Sequence, residues 1–483
     1  MDFGMIVSVL GRLLMVEAGL MIPPLLVSTY YFGSDQKAFL LSILITGLVG
    51  FFLSHFFKGK KSLGSKEGLT IVALGWLLVS LFGSLPFILS GAIPNFINAF
   101  FETVSGFTTT GATILVDVEV LPKGILFWRS FTHWIGGMGI LVFTIALIPK
   151  LGGGGFQIFK VESPGPAPDR IVPKVSDTAK VLYTTYFAIT ISQIFFLFIG
   201  DMPLFDSVLH TFGTVGTGGF GIKNDSIGAY DSSYLHLVIG TFMIFAGVNF
   251  SLYYSIFKGK WKEVFKDQEL RLYLTVILSA VILITININQ TLYYNIAHSL
   301  RDAFFQVTSI ITTTGYSTVD FNQWPEFSQM IIFALMFMGG SAGSTAGGMK
   351  VVRILVVFKQ IKREIAKIFH PRAVIPIKIG NKVLPDERVS GIFSFMGIYM
   401  IVFIIGATLL SLEGFGFETS ITATISALSN IGPGLALVGP TENFNIFSGP
   451  GKLLISFLML LGRLEFFTMI ALLAPSTWKK ELF

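Results

Sequence analysis

Four short segments of this chain share a run of small, hydroxyl-bearing residues closed by glycine. The first, from Phe100 to Thr113, reads FFETVSGFTTTGAT, and the third, from Phe304 to Ser317, reads FFQVTSIITTTGYS. The second, HTFGTVGTGGF from His210 to Phe220, keeps the small polar run and the glycine. The fourth, TISALSNIGPG from Thr424 to Gly434, keeps them less fully. The aligned glycines are Gly111, Gly219, Gly315 and Gly432. None of these side chains is suited to covalent chemistry. Their backbone is suited to holding ions. Glycine reaches conformations that a Cβ resists, so carbonyls can be turned to one side. Rings of carbonyls can then replace an ion's hydration shell, and carbonyl oxygen suits hard cations rather than anions. The candidate ligands are Thr110, Gly111, Gly218, Gly219, Thr314, Gly315, Ile431 and Gly432, with the hydroxyls of Thr110 and Thr314 as further oxygen donors.

Any one of these segments could be an ordinary Gly/Thr-rich loop at a helix end. Four in register, each between two apolar spans and all on one face, argue against that. The composition says what carries them. The chain has 483 residues, 52% of them hydrophobic and only 13% charged, and its mean hydropathy is +0.73. A soluble protein carries about 25% charged residues. Crossing ~30 Å of hydrocarbon takes ~20 apolar residues. Such runs occur at 39–57, 69–89, 125–148, 181–199, 235–257, 272–288, 392–412 and 453–473. A shorter one at 330–337 leads into a glycine-rich stretch, and another at 6–31 is broken by Pro23 and Pro24. Arg12 and the lack of a small-residue cleavage site make 6–31 a membrane helix rather than a leader.

The repeating unit is span, short amphipathic helix, glycine-centred stretch, span. Non-helical backbone at membrane depth is tolerated only where it lines a water-filled cavity or is buried in protein. The expected fold is therefore an all-α integral membrane protein of about twelve transmembrane helices. A two-helix unit, 1–68, precedes pore units at 69–150, 151–260, 261–388 and 389–483, which surround a pseudo-fourfold axis.

Lys and Arg gather on one set of loops, at Lys58, Lys60, Lys61 and Lys66, then 150–180, 258–271, 350–388 and Lys479–Lys480. The opposite loops carry acids such as Asp117, Glu119, Asp201, Asp320 and Glu442. The excess of cations marks the cytoplasmic side, so both termini are expected there. The acidic outer face would concentrate cations. Basic patches that alternate with spans report orientation, not nucleic-acid binding.

The chain has no cysteine, which excludes disulfides and thiolate metal sites. Its histidines, His55, His133, His210, His236, His298 and His370, are scattered and read as satisfied or interfacial side chains. A membrane-embedded enzyme would need convergent His, Cys or carboxylates. No catalytic residue and no cofactor are expected.

Two further features fall near the expected pore. GGSAGSTAGG at 339–348 interrupts the second span of the third unit. Gly339, Gly340, Gly343, Gly347 and Gly348 would give a mobile intramembrane loop, a gate on the cytoplasmic side. The alternative is a close helix contact through small residues. Met349 and Lys350 stand where a phosphate-binding loop needs Lys and Ser or Thr. Arg463 and Glu465 lie within the last span, where an ionisable residue is a functional candidate. Arg463 either faces the pore below the carbonyls or sits in an ion pair or at an interface. Arg129, near the start of its span, is expected to anchor at the interface.

Through SGFTTTGA at 105–112, WIGGMG at 134–139, GGSAGST at 339–345, NIGPG at 430–434 and GRLE at 462–465, the chain resembles the Trk/Ktr/HKT superfamily of potassium transporters. The resemblance covers essentially the whole length. The spans before residue 69 are similar to those of its bacterial Trk branch rather than of the shorter Ktr branch. It implies potassium uptake across a bacterial inner membrane by a homodimer embedded in lipid. It also implies a cytoplasmic TrkA-type ring that binds NAD(H) and adenine nucleotides and controls gating, so nucleotide would bind the partner. The family's gate loop maps onto 339–348 and its pore arginine onto Arg463. In the family a serine at the first filter glycine goes with sodium transport, so Gly111 implies potassium. The extra glycines of the second loop, Gly213, Gly216 and Gly218, depart from the pattern. The alternative within the superfamily is a sodium-permeable or sodium-coupled transporter.

Overall fold

The computed structural model describes residues 1–57, 64–139, 175–380 and 382–473. The basic residues Lys58, Lys60, Lys61 and Lys479–Lys480, most of 150–180 and the distal part of span 125–148 lie outside them. The described chain is helical apart from loops and a short hairpin that pairs Lys378–Ile379 with Lys382–Val383. It begins with α1 (Phe3–Leu20), α2 (Ile22–Tyr30) and α3 (Gln36–Phe56). Pro23 and Pro24 fall in the first turn of α2, where a missing N–H costs nothing. The first unit holds α4 (Ser65–Gly83), α5 (Leu85–Leu89), α6 (Phe96–Phe107) and α7 (Lys123–Gly137). The second holds α8 (Val175–Ile199), α9 (Leu204–Val215), α10 (Ser233–Ala246) and α11 (Phe250–Phe257). The third holds α12 (Gln268–Ile288), α13 (Ile296–Ile311), α14 (Glu326–Met336) and α15 (Val351–Phe369). The fourth holds α16 (Asp386–Leu410), α17 (Phe417–Ser429), α18 (Gly449–Leu464) and α19 (Phe466–Leu473).

Among the described residues, six helices are long and apolar enough to cross a membrane, and a bent pair makes a seventh. The short helices α6, α9, α13 and α17 each precede one of the glycine-centred segments. They sit inside the bundle, and in α6 every residue from Phe101 to Phe107 is buried. Their N-termini are set by chain chemistry. Asn95 accepts the N–H of Asn98 at the head of α6, and Asn295 accepts those of Ala297 and His298 at the head of α13.

The second spans depart from the expected continuous rods. The run 235–257 bends by 93° between α10 and α11. Gly247 ends one helix there, and Asn249 caps the next by accepting the N–H of Ser251. The run 453–473 breaks at Glu465, whose φ is +58°. The third unit breaks at the glycine-rich 339–348, and α7 ends at Met138 and Gly139. A hydrophobicity pattern does not register the breaks at 247–249 and 465, because the residues around them remain apolar, whereas the one at 339–348 is the one the sequence predicts.

The N-terminal unit is tied on by Asp35. Its buried carboxylate accepts the N–H of Ile125 at 2.9 Å, in the first turn of α7, and the hydroxyl of Ser28. Asp35→Ala should cost about 2 kcal/mol, because it leaves a buried donor unpaired. Unfolding of the purified chain in detergent checks this, and an unchanged midpoint would mean that the unit docks without the contact.

Candidate functional site

All four short helices end in the same way. The N–H of Thr110 reaches the carbonyl of Ser105, Gly218 that of Gly213, Thr314 that of Ser309, and Ile431 that of Ser426, at 2.8–3.0 Å. One residue earlier, Thr109, Thr217, Thr313 and Asn430 bond to Gly106, Thr214, Ile310 and Ala427. This pair of bonds is a Schellman motif, which requires a left-handed residue after the helix. Those residues have φ between +54° and +56°. Glycine usually fills that position, so threonine in three of the four is locally strained. Two residues on, φ is positive again, at Gly111 (+81°), Gly219 (+74°), Gly315 (+83°) and Gly432 (+102°).

The four loops close on one another. A Cβ on Gly111 would fall on the carbonyl oxygen of Gly218, and one on Gly219 on that of Thr314. A Cβ on Gly315 would fall on the carbonyl oxygen of Ile431, and one on Gly432 would lie 2.8 Å from that of Thr110. Each loop therefore rests on the next, and the fourth returns to the first. Among the described residues, no donor is hydrogen-bonded to the carbonyls of Thr110, Gly111, Gly218, Gly219, Thr314, Gly315 or Ile431. Buried carbonyls normally find a partner, so a ring of open ones is a site for a cation or water. The C-terminal ends of four helices point their negative dipoles toward it. The hydroxyls of Thr110 and Thr314 make hydrogen bonds of their own. They pair at 2.8 Å with those of Thr108 and Thr312, and Thr110 also accepts from Asn430. Each hydroxyl keeps a lone pair, while those backbone carbonyls are the oxygens with no donor at all among the described residues.

A cavity on the acidic side is lined by all four glycines and by Glu442. Beside it, Asn224 donates to Asp117 and Lys223 to Glu119, which holds both carboxyls below their usual range. These acids keep negative charge near the entrance at neutral pH.

The limbs that leave the ring are held from behind. Glu102 accepts the N–H of Ile114 and the hydroxyl of Thr113. Gln306, in the matching place in α13, donates toward Thr318 and Val319. Thr422 bonds to both the N–H and the carbonyl of Leu435. Arg129 does not anchor at an interface. It is 2% exposed, pairs with Glu102 at 2.7 Å, donates to the carbonyl of Gly221 and stacks over Phe220. The pair thus links the exits of loops one and two. Its signal in the sequence was an acid within a short helix, Glu102, that needed a buried counter-charge.

On the other side, the 339–348 loop lies against the ring. The N–H of Gly347 donates to the hydroxyl of Thr313 at 2.7 Å, and Gly347 packs on the carbonyl of Ser429. Ser341 and Thr345 donate to the carbonyls of Gly247 and Ala246 at the break of the second unit, and the carbonyl of Gly343 accepts the N–H of Phe250. Gly339, Gly343 and Gly348 have φ of +71° to +74°, and Gly340 packs against Ala346. Arg463 reaches under the ring. It donates to the carbonyls of Thr345, Gly136 and Gly137 and to the hydroxyl of Thr109. Glu465 pairs with Arg353 at 2.5 Å. The loop and Arg463 together touch all four units.

A family model described as a cation transport protein, TrkH, matches residues 35–480. The Trk system potassium uptake protein TrkH of Salmonella typhimurium is 37% identical, over 99% of this chain and all of the relative. The Trk system potassium uptake protein TrkG of Escherichia coli is 33% identical over 95% of both. The crystal structure of the potassium transporter TrkH from Vibrio parahaemolyticus superposes with a TM-score of 0.89 at 34% identity, covering 99% of this chain and all of that one.

Breaking a buried ion pair by removing one partner costs about 3–5 kcal/mol, because the other charge is left uncompensated. Glu102→Gln should therefore lower folded yield and thermal midpoint sharply, and replacing both Glu102 and Arg129 by neutral residues should cost less. Size-exclusion profiles and melting curves of the three variants check this. Equal damage in the single and double variants would show that the two side chains are not coupled.

Proposed function

The chain belongs to the TrkH family of cation transport proteins, and we propose that it takes up potassium through the ring of open carbonyls. Transport, not catalysis, is its activity. The observation that carries the reading is the closed circuit of four positive-φ glycines, each backed by the next loop's carbonyl, with no protein donor on those oxygens among the described residues. The candidate ligands are Thr110, Gly111, Gly218, Gly219, Thr314, Gly315, Ile431 and Gly432. The names borne by the relatives, potassium uptake proteins, support potassium as the ion. The route runs inward across a bacterial inner membrane, with both termini in the cytoplasm and the acidic entrance outside. A membrane potential supplies ~2.3 kcal/mol per charge per 100 mV. Each loop offers a short carbonyl stretch rather than an extended strand of sites, so discrimination against sodium is modest.

The 339–348 loop is the gate, and this conformation is closed. Gly339, Gly340, Gly343, Gly347 and Gly348 let it fold back beneath the filter. Arg463 puts a positive charge on the cation's way out. The gate is controlled by a cytoplasmic nucleotide-binding partner of the TrkA type, and the chain works as a homodimer. Support comes from α15, whose Phe358, Ile361, Ile365 and Ile368 leave an exposed apolar stripe at helical spacing. No cofactor is bound by this chain itself.

Cation flux into liposomes that contain the purified chain tests the filter. Potassium and rubidium should pass faster than sodium. Gly315→Ser should reduce the preference several-fold, because its Cβ would push the Ile431 carbonyl out of the ring. Sodium passing as fast as potassium, or a Gly315→Ser chain with unchanged preference, would sink the proposal. The first outcome would favour the sodium-permeable alternative.

A further inference from the structure

We propose that Glu269 is the positioning residue that holds the 339–348 loop shut from the cytoplasmic side, an inference that rests on reading that loop as the gate. Glu269 lies in the first turn of α12 and is 7% exposed. Its carboxylate accepts the N–H of Ala342 at 2.7 Å, in the middle of the loop's first half. The other bonds to this half run to the backbone of Gly247, Phe250 and Val351 and, within the loop, to the N–H and hydroxyl of Ser344. Among the described residues, Glu269 is the acidic side chain bonded to the loop. A carboxylate is a stronger acceptor than a carbonyl, and an amide left without it when buried is costly.

The two ends of the loop are held differently. Cations hold the second half, Arg463 at the carbonyl of Thr345 and Lys350 at that of Ala346. Lys350 and Arg353 sit at the head of α15, the helix with the exposed apolar stripe. Movement of α15 therefore acts directly on the second half. The first half also meets α15, through the N–H of Val351 at the carbonyl of Gly340, but its carboxylate tether is on α12, which packs along the third pore helix, α13. The loop cannot leave the filter until the bond from Ala342 to Glu269 gives way. Glu269 thus sets how readily the gate opens, without touching the ion.

The test uses the full chain in liposomes without any partner, with rubidium and sodium as probes. Glu269→Ala should raise basal rubidium flux roughly tenfold, as expected for loss of one such bond. Glu269→Gln, which keeps an acceptor, should raise it less. Both should keep the wild-type preference for rubidium over sodium, which a damaged filter or a misfolded chain would lose. Wild-type basal flux in a Glu269→Gln chain and a Glu269→Ala chain that both elute as the parent does would overturn the proposal. So would a gain in flux without preference. Deleting residues 342–344 separates the two readings. Raised flux in the deletion but not in the Glu269 variants would leave the gate standing without its latch. No rise in any of them would remove the gate reading as well.

Discussion

Each filter glycine gives up the space of its missing Cβ to a carbonyl oxygen of the neighbouring loop, and the contact passes round four loops until it meets its start. A closed circuit of this kind constrains more than four residues. The pore helices must end at one level, so all four stop with the same pair of hydrogen bonds. The residue that completes the stop must be left-handed, which for threonine costs on the order of 1 kcal/mol. Part of that cost is offset by the hydroxyls. Thr313 accepts the N–H of Gly347, and Thr109 meets Arg463. Two of the three strained threonines are therefore the ones that touch the 339–348 loop and the arginine beneath the ring. Ring and loop are joined through side chains at the register position that Thr109 and Thr313 share.

The same economy governs the broken spans. A helix interrupted within hydrocarbon exposes carbonyls and N–H groups, each costing several kcal/mol if left alone. Here the breaks serve one another. The carbonyls of Ala246 and Gly247 are capped by the 339–348 loop, which returns its Gly343 carbonyl to Phe250. Those of Gly136 and Gly137 are capped by Arg463, two positions before the break at Glu465. In the proposed gate, closing the pore and satisfying the backbone are thus one set of contacts, and moving the loop would leave those groups to water.

Buried charge divides along the same axis. Glu102 and Arg129 neutralise each other behind the filter and hold two exit limbs. Below it, Arg353 and Glu465 pair, while Arg463 and Lys350 spend their charge on carbonyls. An ion pair is a poor source of stability in such surroundings, but it fixes geometry where apolar packing would leave loops free to slide. Lys350, Arg353 and Arg463 collect below the ring, and Asp117, Glu119 and Glu442 at the cavity above it.

What could be read in the sequence was what repeats. Gly111, Gly219, Gly315 and Gly432 stood out because the physical demand at each is the same and only glycine meets it, and 339–348 stood out because ten small residues cannot continue an apolar span. What could not be read depended on partners far along the chain. Arg129 looked interfacial from its neighbours alone, since nothing local shows that Glu102 lies across from it. The bend at Gly247–Asn249 was hidden because apolar residues flank it, and its cause lies about a hundred positions away in the loop that fills it. The left-handed threonines were masked by the opposite effect, because a TTT run suggests hydroxyl ligands. Two of those hydroxyls pair with a neighbouring threonine hydroxyl, while the adjoining carbonyls meet no donor among the described residues. In the proposed reading of the ring as an ion site, side-chain chemistry marks the place, while the open carbonyls are atoms that every residue carries. Only the residue able to leave room for them, glycine, can be recognised in advance.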